Sequence, residues 1–278
     1  MIPVAEAIQR ITDAFDPLTA ETVSLAEASG RVLAEDVLAR TTQPPFDVSA
    51  MDGYAVRAQD LTQAPTTLKQ VGAVPAGQHF EGEVGAGETV RIFTGSRVPS
   101  GADTVVMQEN TTTEGKQITI IKAPNKGQFI RAGGLDFQAG EVGLKAGQRL
   151  TPRAIGYAAS MNHPWLTVRR KPRVAILATG DEIVMPGDPI GTNQIVSSNS
   201  HALAAAVQSY GGEPFNLGIA PDERQGLKTM AAGARGADIL VTTGGASVGD
   251  HDLVQSVLGE IGLELDFWKI AMRPGKPL

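Results

Sequence analysis

The sequence predicts a multi-domain chain of the α/β plus β class: a doubly wound parallel α/β domain, an inserted β-rich domain, and helix-containing segments that link the two. Three observations carry this prediction. From Lys171 onward, short apolar strands alternate with helix-length segments, the texture of a parallel sheet. Between residues 49 and 138 the pattern is instead short β-type runs separated by glycines. Helical texture lies on both sides of that stretch, so the β-rich part reads as an insertion. The resulting boundaries are 1–45 with 139–168 for the linking domain, 46–138 for the β-rich domain and 169–278 for the α/β domain.

Val4, Ile8, Ile11 and Phe15 fall on one helix face, and Asp16-Pro17 ends that helix. A second helix fits residues 25–33, with Ser24 as its cap. The run T-T-Q-P-P-F-D after Arg40 has two adjacent prolines and should be extended. β-type runs follow at 68–74, 89–94, 104–107 and 118–121, barrel-like or sandwich-like in spacing. Residues 141–149 form a linking ribbon, and Thr151-Pro152 starts a capped helix. The α/β domain then reads as a strand at 174–178, a helix at 200–210 closed by Gly211-Gly212, a strand at 216–219 and a helix at 222–234. A third strand at 239–241, a glycine-rich turn, a helix through Val254, Val257, Leu258 and Ile261, and a segment at 263–270 complete it.

Composition narrows the function. The net charge is −6 and no Lys/Arg-rich block occurs, which argues against nucleic acid as the main partner. No apolar run approaches membrane-spanning length, and the start M-I-P-V-A-E-A-I-Q-R-I is amphipathic and acid-containing, so a cytoplasmic protein with no membrane partner is expected. With no cysteine and four scattered histidines, thiolate chemistry and zinc-thiolate sites are excluded, and any metal should be a hard ion held by oxygen. P-loop and nucleophile-elbow motifs are absent.

Two strand ends of the α/β domain carry glycine plus carboxylates: Thr179-Gly180-Asp181-Glu182, and T-T-G-G-A-S-V-G-D-H-D, which contains Gly244, Gly245, Ser247, Gly249, Asp250 and Asp252. In a parallel sheet both open on the edge where ligands bind. The free N–H groups suit phosphate, and the acids then call for a cation, so a phosphate-containing ligand with Mg2+ is the first hypothesis. Lys269, Arg273 and Lys276 could also balance the acids. The plainer reading keeps the glycines for the turn and the aspartates for helix capping. In the β-rich domain, Asp52-Gly53 of S-A-M-D-G-Y-A-V reads first as a hairpin turn, and T-G-S at 94–96 and P-S-G-A-D at 99–103 read as turns.

Taken together, P-P-F-D-V-S-A-M-D-G-Y-A-V, R-I-F-T-G-S-R-V-P-S-G-A-D-T-V-V-M-Q-E, A-T-G-D-E-I-V, S-S-N-S, T-T-G-G-A-S-V-G-D-H-D and F-W-K-I-A-M-R-P-G-K-P resemble, in order, the molybdopterin molybdenumtransferase (MoeA) family, which includes the C-terminal part of gephyrin. The resemblance implies molybdenum cofactor biosynthesis: insertion of molybdate into adenylylated molybdopterin with release of AMP, assisted by Mg2+. It implies an elongated homodimer whose cleft lies between the molybdopterin-binding α/β domain of one subunit and the β-rich domain of the other, and a molybdopterin adenylyltransferase as pathway partner. By motif it makes Asp52, Thr94, Glu182, Asp222, Asp252 and Lys269 catalytic. Gly180, Asp181, Ser198, Gly244, Gly245, Ser247, Gly249, Arg131, Arg273 and Lys276 become binding residues, with Asp181, Asp222 and Asp252 around the metal and the cations receiving molybdate. Arg273 stands where several members have Lys, and a planar fork differs from a point charge. Family members continue past P-G-K-P, whereas this sequence stops at Leu278, so the α/β domain is expected to be incomplete, with an unmet sheet edge. An adenylyltransferase and a non-catalytic molybdopterin-binding scaffold are the alternative functions.

Overall fold

A computed structural model describes residues 1–75, 77–244, 253–267 and 269–275. The chain forms two compact units. Unit 1 comprises residues 1–23, 30–34 and 167–278, and unit 2 comprises 24–29 and 35–166.

Unit 2 is organised on a six-stranded sheet built from β1 (Gly53–Val56), β2 (Thr66–Val74), β3 (Glu88–Ile92), β4 (Thr104–Met107), β5 (Thr111–Glu114) and β6 (Gln117–Ile120). Its order is β4-β1-β3-β2-β6-β5, with β2 and β3 parallel and every other pair antiparallel. All four residues of β1 are buried. Side chains alternate across a strand, so Tyr54 and Val56 enter one apolar cluster with Leu68, Val106, Ile118 and Ile120, while Ala55 joins Ile92 and Val105 in another.

Elsewhere in unit 2, Val37–Leu38 pairs with Val142–Leu144, which is the expected ribbon. Helix α2 of unit 2 (Pro152–Ser160) starts as its sequence dictates: the Thr151 hydroxyl accepts the Ala154 N–H at 3.2 Å and proline fills the first turn. Tyr157 of this helix packs edge-on against Phe137, with centroids 5.6 Å apart.

Unit 1 opens with α1 (Val4–Asp13) and contains the parallel sheet β8-β7-β9, formed by β7 (Arg173–Thr179), β8 (Glu213–Ala220) and β9 (Ile239–Thr243). The central β7 is buried from Val174 to Thr179, as expected of a strand covered on both faces. Helix α3 (Asn199–Ser209) packs on β7 and β8. Helices α4 (Arg224–Ala231) and α5 (Leu253–Glu260) pack on each other and bury Leu227, Ala231, Val254, Val257 and Leu258 with Leu177 of β7.

Four local expectations are corrected. Residues 25–33 do not form a helix. The Ser24 hydroxyl donates to Glu27 at 2.8 Å and one turn follows, then Gly30, at φ +77°, redirects the chain and Leu33 bridges Val168 as extended backbone. Asp52-Gly53 is not a hairpin turn, because the strand before it, Val48–Ser49, pairs with Ile130–Arg131 instead of β1. Residues 263–267 contain no strand, and Leu263 and Leu265 are exposed; only the following segment pairs, through a bridge from Ile270 to Ile2. Helix α1 ends at Asp13, so Phe15 lies beyond the face it was expected to share with Val4, Ile8 and Ile11; those three are exposed, Ala7 is buried, and Arg10 ties the helix to Asp266 at 3.0 Å.

At the amino end of the parallel sheet, Asp238 accepts two bonds from the Arg170 guanidinium, at 2.7 and 2.6 Å, and one from the Arg173 N–H at 2.7 Å. The Arg170 hydrogen bonds, then that of Arg173, push its carboxyl down to about 2 from 3.8. A depressed folded value stabilises the fold above the unfolded value and is lost as pH falls through the folded one. Asp238→Asn is therefore expected to lower Tm at neutral pH and to flatten the loss of Tm between about pH 4 and pH 2 in acid melting curves.

Candidate functional site

The register of the parallel sheet brings three strand ends side by side. Thr179 of β7 lies opposite Ala220 of β8, and Ala178 lies opposite Thr243 of β9. The chain leaves these ends as Gly180-Asp181-Glu182, Pro221-Asp222 and Gly244, so three of the sequence-derived acids start from one edge.

The first two loops are locked together. The Asp181 N–H donates to Asp222 Oδ2 at 3.4 Å, the Asp222 N–H donates to Asp181 Oδ1 at 3.1 Å, and the Gly180 N–H donates to the Ala220 carbonyl at 3.2 Å. Each aspartate spends one oxygen on this lock and keeps the other.

Beside the lock lies a cavity of about 170 Å³ whose lining includes Thr179, Glu182, Ser198, Asn199, Thr243 and Gly244. That volume holds a ring or a phosphate, so a nucleotide-sized ligand would lie across it. Asn199 donates to the Thr243 hydroxyl at 3.2 Å, and the buried Ser197 and Ser200 hydroxyls are 3.0 Å apart. Ser198 is the N-terminal cap residue of α3, yet its side chain makes no capping bond. The Thr179 hydroxyl oxygen is buried and has no hydrogen-bond partner among the described residues. An orphaned buried hydroxyl costs roughly 1–3 kcal/mol, and it is the kind of group that a ligand satisfies.

Gly244 closes the cavity at φ +95°, where a Cβ would overlap the Thr179 carbonyl oxygen. A larger cavity, about 400 Å³, lies near the amino ends of β7 and β9, but its Arg31 and Arg170 are already engaged by Glu21 and Asp238. The smaller one has the unsatisfied chemistry.

The remaining sequence-derived residues of unit 1 are placed as follows. The backbone at Lys269 is held by a 3.0 Å bond from the Ile2 N–H to its carbonyl, and Arg273 is exposed on the segment that follows. Gly245, Ser247, Gly249, Asp250, Asp252 and Lys276 lie outside the described residues. Among the described residues no group of three or more His, Cys, Asp or Glu gathers as metal ligands. Among the described residues Asp181 and Asp222 each keep one carboxylate oxygen without a hydrogen bond, hard-oxygen donors of the kind that suit Mg2+.

Unit 2 holds Asp52, Thr94 and Arg131. Asp52 Oδ1 accepts both the N–H and the hydroxyl of Thr94, at 2.8 and 2.9 Å. These two bonds, with the nearby Arg91 charge, hold the Asp52 carboxyl below its ordinary value of 3.8 against the opposing effect of burial. The result is an exposed carboxylate kept ionised, with Oδ2 carrying no hydrogen bond among the described residues. Arg131, on the strand paired with Val48–Ser49, is bound to Asp136 at 3.2 Å.

The sequence reading missed Thr179, Asn199 and Thr243. The only signal available was the threonine ending two apolar strands, and threonine is common at such places.

Two family descriptions match successive parts of the chain. Residues 2–162 match the description "MoeA N-terminal region (domain I and II)", and residues 175–278 match "Probable molybdopterin binding domain". A molybdopterin molybdenumtransferase of Nostoc sp. is 42% identical over 263 residues, covering 93% of this chain and 60% of the relative. That of Haemophilus influenzae is 40% identical, covering 94% and 65%. The chain thus spans about two thirds or less of the length of these curated relatives. The crystal structure of a molybdopterin biosynthesis MoeA protein from Pyrococcus horikoshii superposes with a TM-score of 0.87 at 33% identity, covering all of this chain and 71% of that one. Sequence and fold agree, and the chain belongs to the MoeA family.

Proposed function

We propose that the chain works in molybdenum cofactor biosynthesis, transferring molybdenum from molybdate to adenylylated molybdopterin with release of AMP. The observation that carries this reading is the buried Thr179 hydroxyl, unpartnered among the described residues, at the carboxyl edge of a parallel sheet beside the Asp181–Asp222 lock. The name shared by the Nostoc and Haemophilus relatives supports the reaction class.

In this reading the pterin nucleotide lies across the cavity, with Thr179 donating its hydroxyl proton and Ser198 and Gly244 forming the walls. Asp181 and Asp222, with Asp252 proposed beside them, would hold Mg2+, which would supply positive charge against the phosphates. Lys269, Arg273 and Lys276 receive molybdate, a tetrahedral dianion, as cationic donors. Glu182 is an acceptor beside the cavity. Gly245, Ser247 and Gly249 are proposed as ligand-binding residues.

Asp52, Thr94 and Arg131 serve the site of a second subunit in a homodimer, and residues 1–45 with 139–168 form the linking domain. The protein is placed in the cytoplasm, downstream of a molybdopterin adenylyltransferase that supplies its substrate. Among the described residues no helix is long and apolar enough to cross a membrane.

The test is an AMP-release assay with the chain, adenylylated molybdopterin and Mg2+, run with and without molybdate. AMP that forms only with molybdate supports the reading. AMP formation independent of molybdate, or none at all, overturns it.

A further inference from the structure

We infer that Arg91, assisted by Gln108, is a positioning residue that fixes the backbone from which the Asp52 carboxylate projects. The inference deepens the proposed function and rests on its assignment of Asp52 to the reacting site.

Asp52 has no core partner to hold it, since it is exposed and precedes β1. It is framed from three sides. On one side Thr94 donates twice to Oδ1. On another, the Gln108 N–H donates to the Asp52 carbonyl at 3.0 Å. Arg91 closes the frame: its Nη1 donates to the Gly53 carbonyl at 3.3 Å and its Nη2 donates to Gln108 Oε1 at 2.5 Å. One guanidinium therefore grips the residue after Asp52 and the residue that holds the Asp52 backbone.

The guanidinium is itself constrained. Arg91 is the cross-strand partner of Tyr54, and its guanidinium carbon lies 5.0 Å from the Tyr54 ring centroid and 4.9 Å from that of Phe93. Two aromatic rings orient the plane of the fork, and such contacts favour arginine over lysine. Gly53 completes the arrangement, because a Cβ there would overlap the Val106 carbonyl oxygen; the strand can run this close to β4 only without a side chain.

The fold of unit 2 does not need this device. The sheet core is apolar, and Gln108 is exposed. What Arg91 adds is a positive charge and a fixed turn next to Asp52, which acts in the same sense as the Thr94 bonds to keep the carboxyl ionised.

The test uses the full chain and the variants Arg91→Met, Arg91→Lys and Gln108→Ala. The Asp52 carboxyl is titrated by carbon-13 NMR, with Asp52→Asn assigning its resonance, and AMP release is measured in parallel. Arg91→Met is expected to raise the Asp52 titration midpoint and to lower kcat at least about tenfold, with KM within about twofold. Gln108→Ala, whose exposed side chain is dispensable for folding, should shift both in the same direction by less. Arg91→Lys should recover the midpoint in part and kcat little, since an ammonium cannot bridge both acceptors. An unchanged Asp52 midpoint and kcat in Arg91→Met and Gln108→Ala overturn the inference. If Asp52→Asn retains full activity while Arg91→Met still moves the Asp52 midpoint, the framing stands and the assignment of Asp52 to the site falls.

Discussion

Asp52→Asn is expected to lower molybdate-dependent AMP release by roughly 10²-fold to 10⁴-fold, the range for a positioned group that moves a proton or meets developing charge, with little change in stability. The substitution is nearly isosteric, and the new amide oxygen can keep accepting from the Thr94 N–H and hydroxyl. The turn therefore survives. What disappears is the negative charge and the acceptor at Oδ2. Because the carboxyl sits below its ordinary value, chiefly through the Thr94 bonds, the wild-type group stays ionised down into acid. Activity that depends on it should persist at neutral pH and fall only below the ordinary carboxylate range. Steady-state AMP formation against pH, with a thermal melt of each variant, checks both parts. Retained activity in Asp52→Asn would remove unit 2 from the chemistry.

Gly244→Ala is expected to destabilise unit 1 and to abolish ligand binding together. The residue sits at φ +95°, a backbone conformation that costs a side chain roughly 1–3 kcal/mol. Its Cβ would also overlap the Thr179 carbonyl oxygen, and forced overpacking adds about 1–3 kcal/mol. Relief can come only by moving the end of β9 away from the end of β7, which opens the wall of the cavity. A urea titration should show a lowered midpoint, and nucleotide binding should be lost even where the variant remains folded. Wild-type stability and affinity in this variant would mean that the strand ends do not form the binding wall.

The α/β texture was legible because each strand of the parallel sheet is an apolar run ending in glycine or proline: β7 before Gly180, β8 before Pro221, β9 before Gly244. The Thr151-Pro152 start of α2 was legible for an equally local reason, since cap and proline act within one turn. Failures came where spacing stood in for partners. Leu25, Ala28 and Leu33 have helical spacing, yet Gly30 breaks the run and Leu33 is taken by Val168. Leu263 and Leu265 alternate as a strand would, but no neighbouring strand receives them among the described residues.

The site divided in the same way. Asp181, Glu182 and Asp222 were visible as acids at strand ends, because chain direction alone puts them on one edge. The reciprocal Asp181–Asp222 bonds were not visible, since they depend on the register of β7 against β8. Arg91 and Gln108 escaped notice because they meet each other and the backbone at residues 52 and 53 only once folding brings β3, β1 and the end of β4 together. Thr179 escaped because a missing partner shows only once neighbouring groups are placed, and among the described residues none bonds its hydroxyl.

The central claim is that a ligand of the parallel sheet satisfies the Thr179 hydroxyl, and Thr179→Val tests it with two readings on one variant. Valine keeps the shape and removes the orphaned oxygen, so stability in urea should be unchanged or higher, by up to about 1–3 kcal/mol. Affinity for adenylylated molybdopterin, measured by titration calorimetry, should fall about tenfold, equivalent to about 1.4 kcal/mol. Unchanged affinity in a variant that folds as well as the wild type would contradict the account and place the ligand elsewhere.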